Sequence, residues 1–225
     1  MKKLIFGLLL LALTAYPAMA LDKPDLDARI HSLTTKFEEL QAHPDKRIPA
    51  DVLRKARAIV LLDRTKAGFI FAYQGGSGVA IVKSPNSGKW GPVAFLAANE
   101  ASLGFQVGAE QNFVAIVFMS DDAAHVLTNP SFEFGGEARG TAGDTTASAG
   151  TSVSDTERAY LIYGDRTGLY GGAAIKGGSI APDEAANRTY YGQPLSMKDI
   201  LFDKKTDRTD AAKTLADKLS YFSRH

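Results

Sequence analysis

The 225-residue chain contains no cysteine, one tryptophan and four histidines. Without cysteine no disulfide staples an exported fold, no lipid attaches at a cysteine, and the thiolate ligands of structural zinc are missing. Histidine is nearly as sparse. His31 and His43 lie in or just after an amphipathic segment, His225 is terminal, and only His125 falls among segments of strand character. A Ser-His-acid site therefore has little to draw on, and no two histidines stand at helical metal-ligand spacing. No Gly-x-Ser-x-Gly elbow occurs beyond a loose echo at Gly177–Ala181. Gly75-Gly76-Ser77-Gly78 runs into a strand, not a helix, and lacks the Lys-Ser/Thr of a phosphate loop. Charge of one sign is lacking too: the formal net charge is +1. That gives no bulk electrostatic reason to bind nucleic acid. Glu100, Glu110, Glu133 and Glu137 leave a carboxylate hydrolase as a third reading, but no enzyme, cofactor or metal is expected.

Long apolar runs are confined to the start. Lys2 and Lys3 precede Leu4–Leu13, and Ala18-Met19-Ala20 follows as a small-x-small cleavage site. Residues 1–20 read as a secretory signal peptide, so a periplasmic or secreted location is expected. The remainder divides into residues 21–47, an amphipathic helix, and residues 48–225, a β-rich domain with a C-terminal helix.

Leu26, Ile30, Leu33, Phe37 and Leu40 form the stripe of the first helix, which His43-Pro44 ends. The stripe either docks on the domain or lies on a membrane surface. A second helix begins at Pro49 and carries Arg54, Lys55 and Arg57, the densest basic cluster, with Arg64 and Lys66 following. These cations are either solvated surface or a site for anionic headgroups.

Twenty of the 21 glycines lie between Gly68 and Gly192. Ala58–Leu62, Gly68–Tyr73, Val79–Lys83 and Val93–Ala97 read as short strands. From Ser102 to Glu110 apolar residues alternate with glycine or polar ones, Gln111-Asn112 reads as a turn, and Phe113–Met119 as a buried strand. Glycines on one strand face indicate a close approach by a helix, a barrel bend or a ligand. Ser120–Leu127 is a short helix, Phe132–Ala138 alternates again, and Gly140–Ser154 is a loop or a pair of edge strands. Ala159–Tyr163 and Leu169–Ile175 form a hairpin; Pro182–Arg188 and Met197–Leu201 are short helices; Thr206–His225 closes the chain as a helix. Strands without long intervening helices imply antiparallel pairing, hence an α+β, β-rich fold: a sandwich or barrel with helices at one end.

Five motifs arrive in a set order: Gly76-Ser77-Gly78-Val79, Lys89-Trp90-Gly91-Pro92, Phe105-Gln106-Val107-Gly108, Gly168-Leu169-Tyr170-Gly171-Gly172, and Asn187 through Tyr190-Tyr191-Gly192. Together they resemble the SYLF domain over roughly Ile48 to Asp203. The resemblance implies lipid binding; eukaryotic members are associated with phosphoinositide membranes and with actin at endocytic sites. With no SH3 or FYVE module in these 225 residues, actin recruitment is not expected of this chain. An anionic phospholipid or membrane surface is the expected partner, an envelope protein the alternative, and nucleic acid neither. Candidate contacts are Arg54, Lys55, Arg57, Lys89, Trp90, Gln106, Gly108, Glu110, Tyr190 and Tyr191. Trp90 is either an interfacial anchor or a core plug, and the two tyrosines share that ambiguity. The glycine-faced strands are offered to an acyl chain.

Overall fold

The computed structural model describes residues 21–68, 71–103, 108–134, 160–164, 168–169 and 178–225. The signal-peptide reading of residues 1–20 and the loop or edge-strand reading of Gly140–Ser154 lie outside them. Two helices open the described chain, α1 (Lys23–Ala42) and α2 (Ala50–Lys55). Four long strands follow: β1 (Ala58–Gly68), β2 (Phe71–Lys83), β3 (Trp90–Leu103) and β4 (Gly108–Phe118). A short helix, α3 (Asp121–Ala124), runs into a 3-10 turn, His125–Thr128. Then come β5 (Phe132–Phe134), β6 (Tyr160–Gly164), β7 (Gly168–Leu169) and β8 (Gly178–Pro182), and finally α4 (Glu184–Tyr191), α5 (Met197–Leu201) and α6 (Asp210–Phe222).

The strands make one antiparallel sheet in the order β5-β8-β3-β2-β1-β4-β6-β7. It is an α+β fold, but not a sandwich of two sheets. Phe132 on β5 and Phe118 on β4 stand 6.3 Å apart between ring centroids, although β8, β3, β2 and β1 separate their strands. At about 4.8 Å per strand a flat sheet would hold those rings roughly 24 Å apart. The sheet therefore curls into a half-barrel.

Alternation then gives two cores. Val60, Leu62, Ala80, Leu96, Ile116 and Phe118 face the concave side, where α3 and α5 add Ala124, Ile200 and Leu201. Ile59, Leu61, Val79, Ile81, Phe95 and Val117 face the convex side, which α1, α2, α4 and α6 cover. Helices thus lie on both faces, not at one end alone. The segments between Val79 and Phe118 read as apolar runs because both faces are buried.

Helix α1 starts on a capping box: Asp22 accepts from the Asp25 amide at 2.9 Å, and the Asp22 amide donates back to Asp25 at 3.3 Å. Leu26, Ile30, Leu33, Phe37 and Leu40 are all buried against the convex core. Each contributes about 1.5–3 kcal/mol in that position, so the stripe docks on the domain and is not available to a membrane.

Three strand boundaries depart from the sequence reading. Gln111 and Asn112 do not turn the chain; they lie within β4, opposite Thr65 and Arg64 of β1. Likewise Gly68 ends β1 and Phe71 begins β2, where a single strand over 68–73 was expected, and Leu103 ends β3 and Gly108 begins β4, where one strand over 102–110 was expected. Backbone ladders are indifferent to side-chain polarity, so the polar ends of these strands pair as readily as the apolar ones.

A candidate anionic-surface site at one end of the sheet

Where β1 begins and β4 ends, Arg57 bridges the strand ends through its backbone. Its amide donates to the Phe118 carbonyl at 2.8 Å, and its carbonyl accepts from the Lys83 amide at 2.7 Å. The turn from β2 to β3 closes beside it, with the Ser84 amide donating to the Lys89 carbonyl at 2.9 Å and Gly88 in the left-handed region at φ 65°. Helix α2 ends at the same place. Lys83 Nζ donates to the carbonyls of Leu53 at 3.2 Å and Arg54 at 3.0 Å, which satisfies the exposed C-terminal carbonyls of α2.

That lysine also sits 4.7 Å above the Trp90 ring. Partial burial, with a smaller contribution from the Arg57 guanidinium, holds the Lys83 ammonium below the ordinary lysine value. Around it, Lys55 pairs with Asp51 at 3.9 Å and Arg57 Nε with Asp121 at 3.8 Å, in half-exposed or exposed geometry. Such pairs are worth little and are easily exchanged. Arg54 and Lys89 are exposed and have no carboxylate partner among the described residues. The result is a group of five cations at one end of the half-barrel.

The fold therefore brings together Arg54, Lys55, Arg57, Lys89 and Trp90. Trp90 is only 4% exposed and belongs to the convex core; its ring supports Lys83 and offers no face to a bilayer. Lys83 is not among the candidate contacts read from the sequence. It stands at the end of an apolar strand, and nothing in local pattern tells that its ammonium folds back on α2.

Other candidates lie elsewhere. Tyr190 is 2% exposed; its hydroxyl donates to Asp27 and shares a hydrogen bond with Thr209 Oγ1 at 2.6 Å. The Tyr191 hydroxyl donates to the Val93 carbonyl. Burial pushes both phenols well above the usual tyrosine range. These rings hold α4 against α1, β3 and the start of α6. Gly108 and Glu110 stand at the opposite end of β4 from Phe118, paired with Gly68 and Lys66 of β1. Gln106 lies outside the described residues.

At Gly78 the strand face is closed. A Cβ there would come within 2.4 Å of both the Leu61 carbonyl oxygen and Leu62 Cδ2, so at this position the protein's own backbone and leucine close the strand face; Gly104, on the strand face read over 102–110, lies outside the described residues. Among the described residues no group of three His, Cys, Asp or Glu is placed to hold a metal ion, and no helix is long and apolar enough to cross a membrane.

The fold is a curled antiparallel sheet, covered by α1, α2, α4 and α6 on its convex face and filled by α3 and α5 on its concave one, with five of its cations at one end. Residues 99–221 match the family model Ysc84, described as Las17-binding protein actin regulator; the chain belongs to this SYLF family. It is 29% identical over 192 residues to human SH3 domain-containing YSC84-like protein 1, covering 84% of this chain and 56% of the relative. It is 31% identical over 161 residues to LAS seventeen-binding protein 3 of Saccharomyces cerevisiae, covering 70% of this chain and 35% of the relative. Protein YSC84 of the same yeast is 30% identical over 161 residues, at 70% and 34% coverage. The chain thus spans about half the length of the animal relatives and about a third of the yeast ones. No solved structure matches it.

Proposed function

We propose that this protein is a non-enzymatic domain that binds the anionic headgroups of a phospholipid surface, in the cell envelope or outside the cell. The carrying observation is the convergence of Arg54, Lys55, Arg57, Lys83 and Lys89 where α2, β1, β2 and β3 meet. Two of these cations, Arg54 and Lys89, lack carboxylate partners among the described residues, and two more hold exposed carboxylates loosely. Each Lys or Arg brought to an anionic surface contributes about 1 kcal/mol at physiological salt, and the attraction fades within a Debye length. The proposal is confined to headgroups, since the strand face is closed at Gly78 and the cations supply a site for phosphate, not for a chain. Co-sedimentation with phosphatidylglycerol vesicles tests it. Binding at low salt is expected, with loss at high salt, on phosphatidylcholine vesicles and in an Arg54→Ala/Lys89→Ala variant. No binding to phosphatidylglycerol at low salt would dismiss the reading.

A second reading, a protein-interaction module of the envelope, draws on the relatives' names, one of which states that it binds LAS seventeen. The same cations would then meet an acidic protein surface. Recovery of a defined protein partner by this end of the sheet, with no vesicle binding, would favour it.

A further inference from the structure

Lys204 follows α5 and carries φ 53°; among the described residues it is the only non-glycine in the left-handed region. There the Cβ crowds the following carbonyl, a conflict that glycine avoids. The loop is held in this shape from both sides. Lys198 pairs with Asp203 at 2.7 Å, and Lys205 with Asp199 at 2.6 Å. The Asp203 amide donates to the Lys198 carbonyl and the Lys205 amide to the Asp199 carbonyl, each at 2.9 Å. Phe202, at the start of the loop, is stacked on His125 at 4.3 Å. The lysines on either side are thus neutralised, while Lys204 has no carboxylate partner among the described residues.

The topology decides where this loop runs. Helix α5 packs inside the curl and α6 outside it, so the chain joining them crosses the sheet. Lys204 Cε reaches within 4.0 Å of where a Cβ on Gly91 would stand, and such a Cβ would also crowd the Val82 carbonyl oxygen at 3.2 Å. Gly91 follows Lys89 and Trp90 directly. The lysine stem therefore lies over the first residues of β3, at the end of the sheet that carries Arg57, Lys83 and Lys89.

Resting on the membrane-binding reading above, we infer that Lys204 is a headgroup contact: with Lys89 it flanks Gly91 and takes the phosphate of an anionic lipid from the side opposite α2. A lysine kept where glycine would relax the turn, and left unpaired between two paired lysines, is consistent with a use for its ammonium. The site then has two walls, the end of α2 with Arg54 and the Arg57 that follows it, and the 203–205 loop.

The backbone conformation makes the test selective, because Lys204→Gly removes the cation while relaxing the turn. On phosphatidylglycerol vesicles Lys204→Gly is expected to bind about fivefold more weakly than the unaltered protein, with a thermal midpoint that is no lower. Lys204→Arg is expected to bind as the unaltered protein does. If Lys204→Gly binds undiminished while Arg54→Ala/Lys89→Ala binds weakly, the inference is overturned and the membrane reading stands. If the unaltered protein does not bind these vesicles, both fall. Inorganic phosphate that shifts the Gly91 amide resonance as fully as vesicles do would overturn the lipid as occupant.

Discussion

Asn187 on α4 and Phe95 on β3 are joined by a two-way pair of hydrogen bonds: the Phe95 amide donates to Asn187 Oδ1 at 2.8 Å, and Asn187 Nδ2 donates to the Phe95 carbonyl at 3.1 Å. The Asp183 amide donates to the same carbonyl at 3.0 Å. On this side of β3 the neighbouring strand β8 pairs only with Leu96–Asn99. The Asn187 amide, buried at 2% exposure, takes the place of the strand partner that β8 does not supply. Asn187→Ala orphans a buried amide, so denaturant unfolding should show a loss of about 1–3 kcal/mol. Asn187→Asp should cost at least as much, since a carboxylate cannot donate to the Phe95 carbonyl. Unchanged stability in both would show that the bridge is not made.

The Phe118–Phe132 contact is the measure of the curl. Phe118 is 1% exposed, and Phe118→Ala should destabilise by about 3–5 kcal/mol. A double-mutant cycle with Phe132→Ala should return a coupling of about 0.5–1.5 kcal/mol, as for an edge-to-face pair. Strict additivity would mean that β5 does not reach across to β4.

Gly78→Ala tests whether β2 is closed at this glycine. With a Cβ 2.4 Å from a backbone oxygen, a loss of about 1–3 kcal/mol or more is expected in chemical denaturation. Leu62→Ala should not restore stability, because the Leu61 carbonyl remains. A tolerated Gly78→Ala would show that the strand face is not closed at this position.

Phe37 separates packing from membrane attachment. Its ring is fully buried and meets Phe222 edge-on at 5.7 Å. Phe37→Ala should lower stability by about 3–5 kcal/mol, while vesicle binding per folded molecule stays as it was. Lost vesicle binding at undiminished stability would place α1 on the bilayer.

Stability should fall in strong alkali. Burial, aided by the Asp51 carboxylate, pushes the Tyr163 phenol from 10.0 up to about 12, and Tyr190 and Tyr191 move the same way. The folded state thus holds these protons more tightly than the unfolded chain. The Tyr163 contribution, on the order of 2 kcal/mol, is fully present below pH 10 and is lost as pH rises towards about 12. Tyr163→Phe should flatten that decline in unfolding free energy measured across the window; an identical slope would refute the assignment.

Much of the local structure was legible. The spacing of Leu26, Ile30, Leu33, Phe37 and Leu40 sets out α1. Met197–Leu201 is helical as read, because Ser196 and Asp199 form a capping box at its start. Ser120 caps α3 by accepting from the Ala123 amide at 3.2 Å. Tyr160–Gly164 and Gly168–Leu169 pair as a hairpin. These features depend on side chains a few positions apart, which a sequence displays directly.

What the chain alone determined, then, was its helices, its antiparallel character and its family motifs. Tertiary structure decided the rest. Gln111 and Asn112 are strand residues only because β1 offers them a ladder. The convex and concave faces of the sheet are told apart only by the curl, since both are apolar. Arg57, Lys83, Lys89 and Lys204 come to the same end of the sheet only because strand ends align there and the α5–α6 connection crosses from one face to the other. Each of these outcomes depends on contacts between residues far apart in the chain, whose identity is set by the closing of the sheet and not by any local pattern.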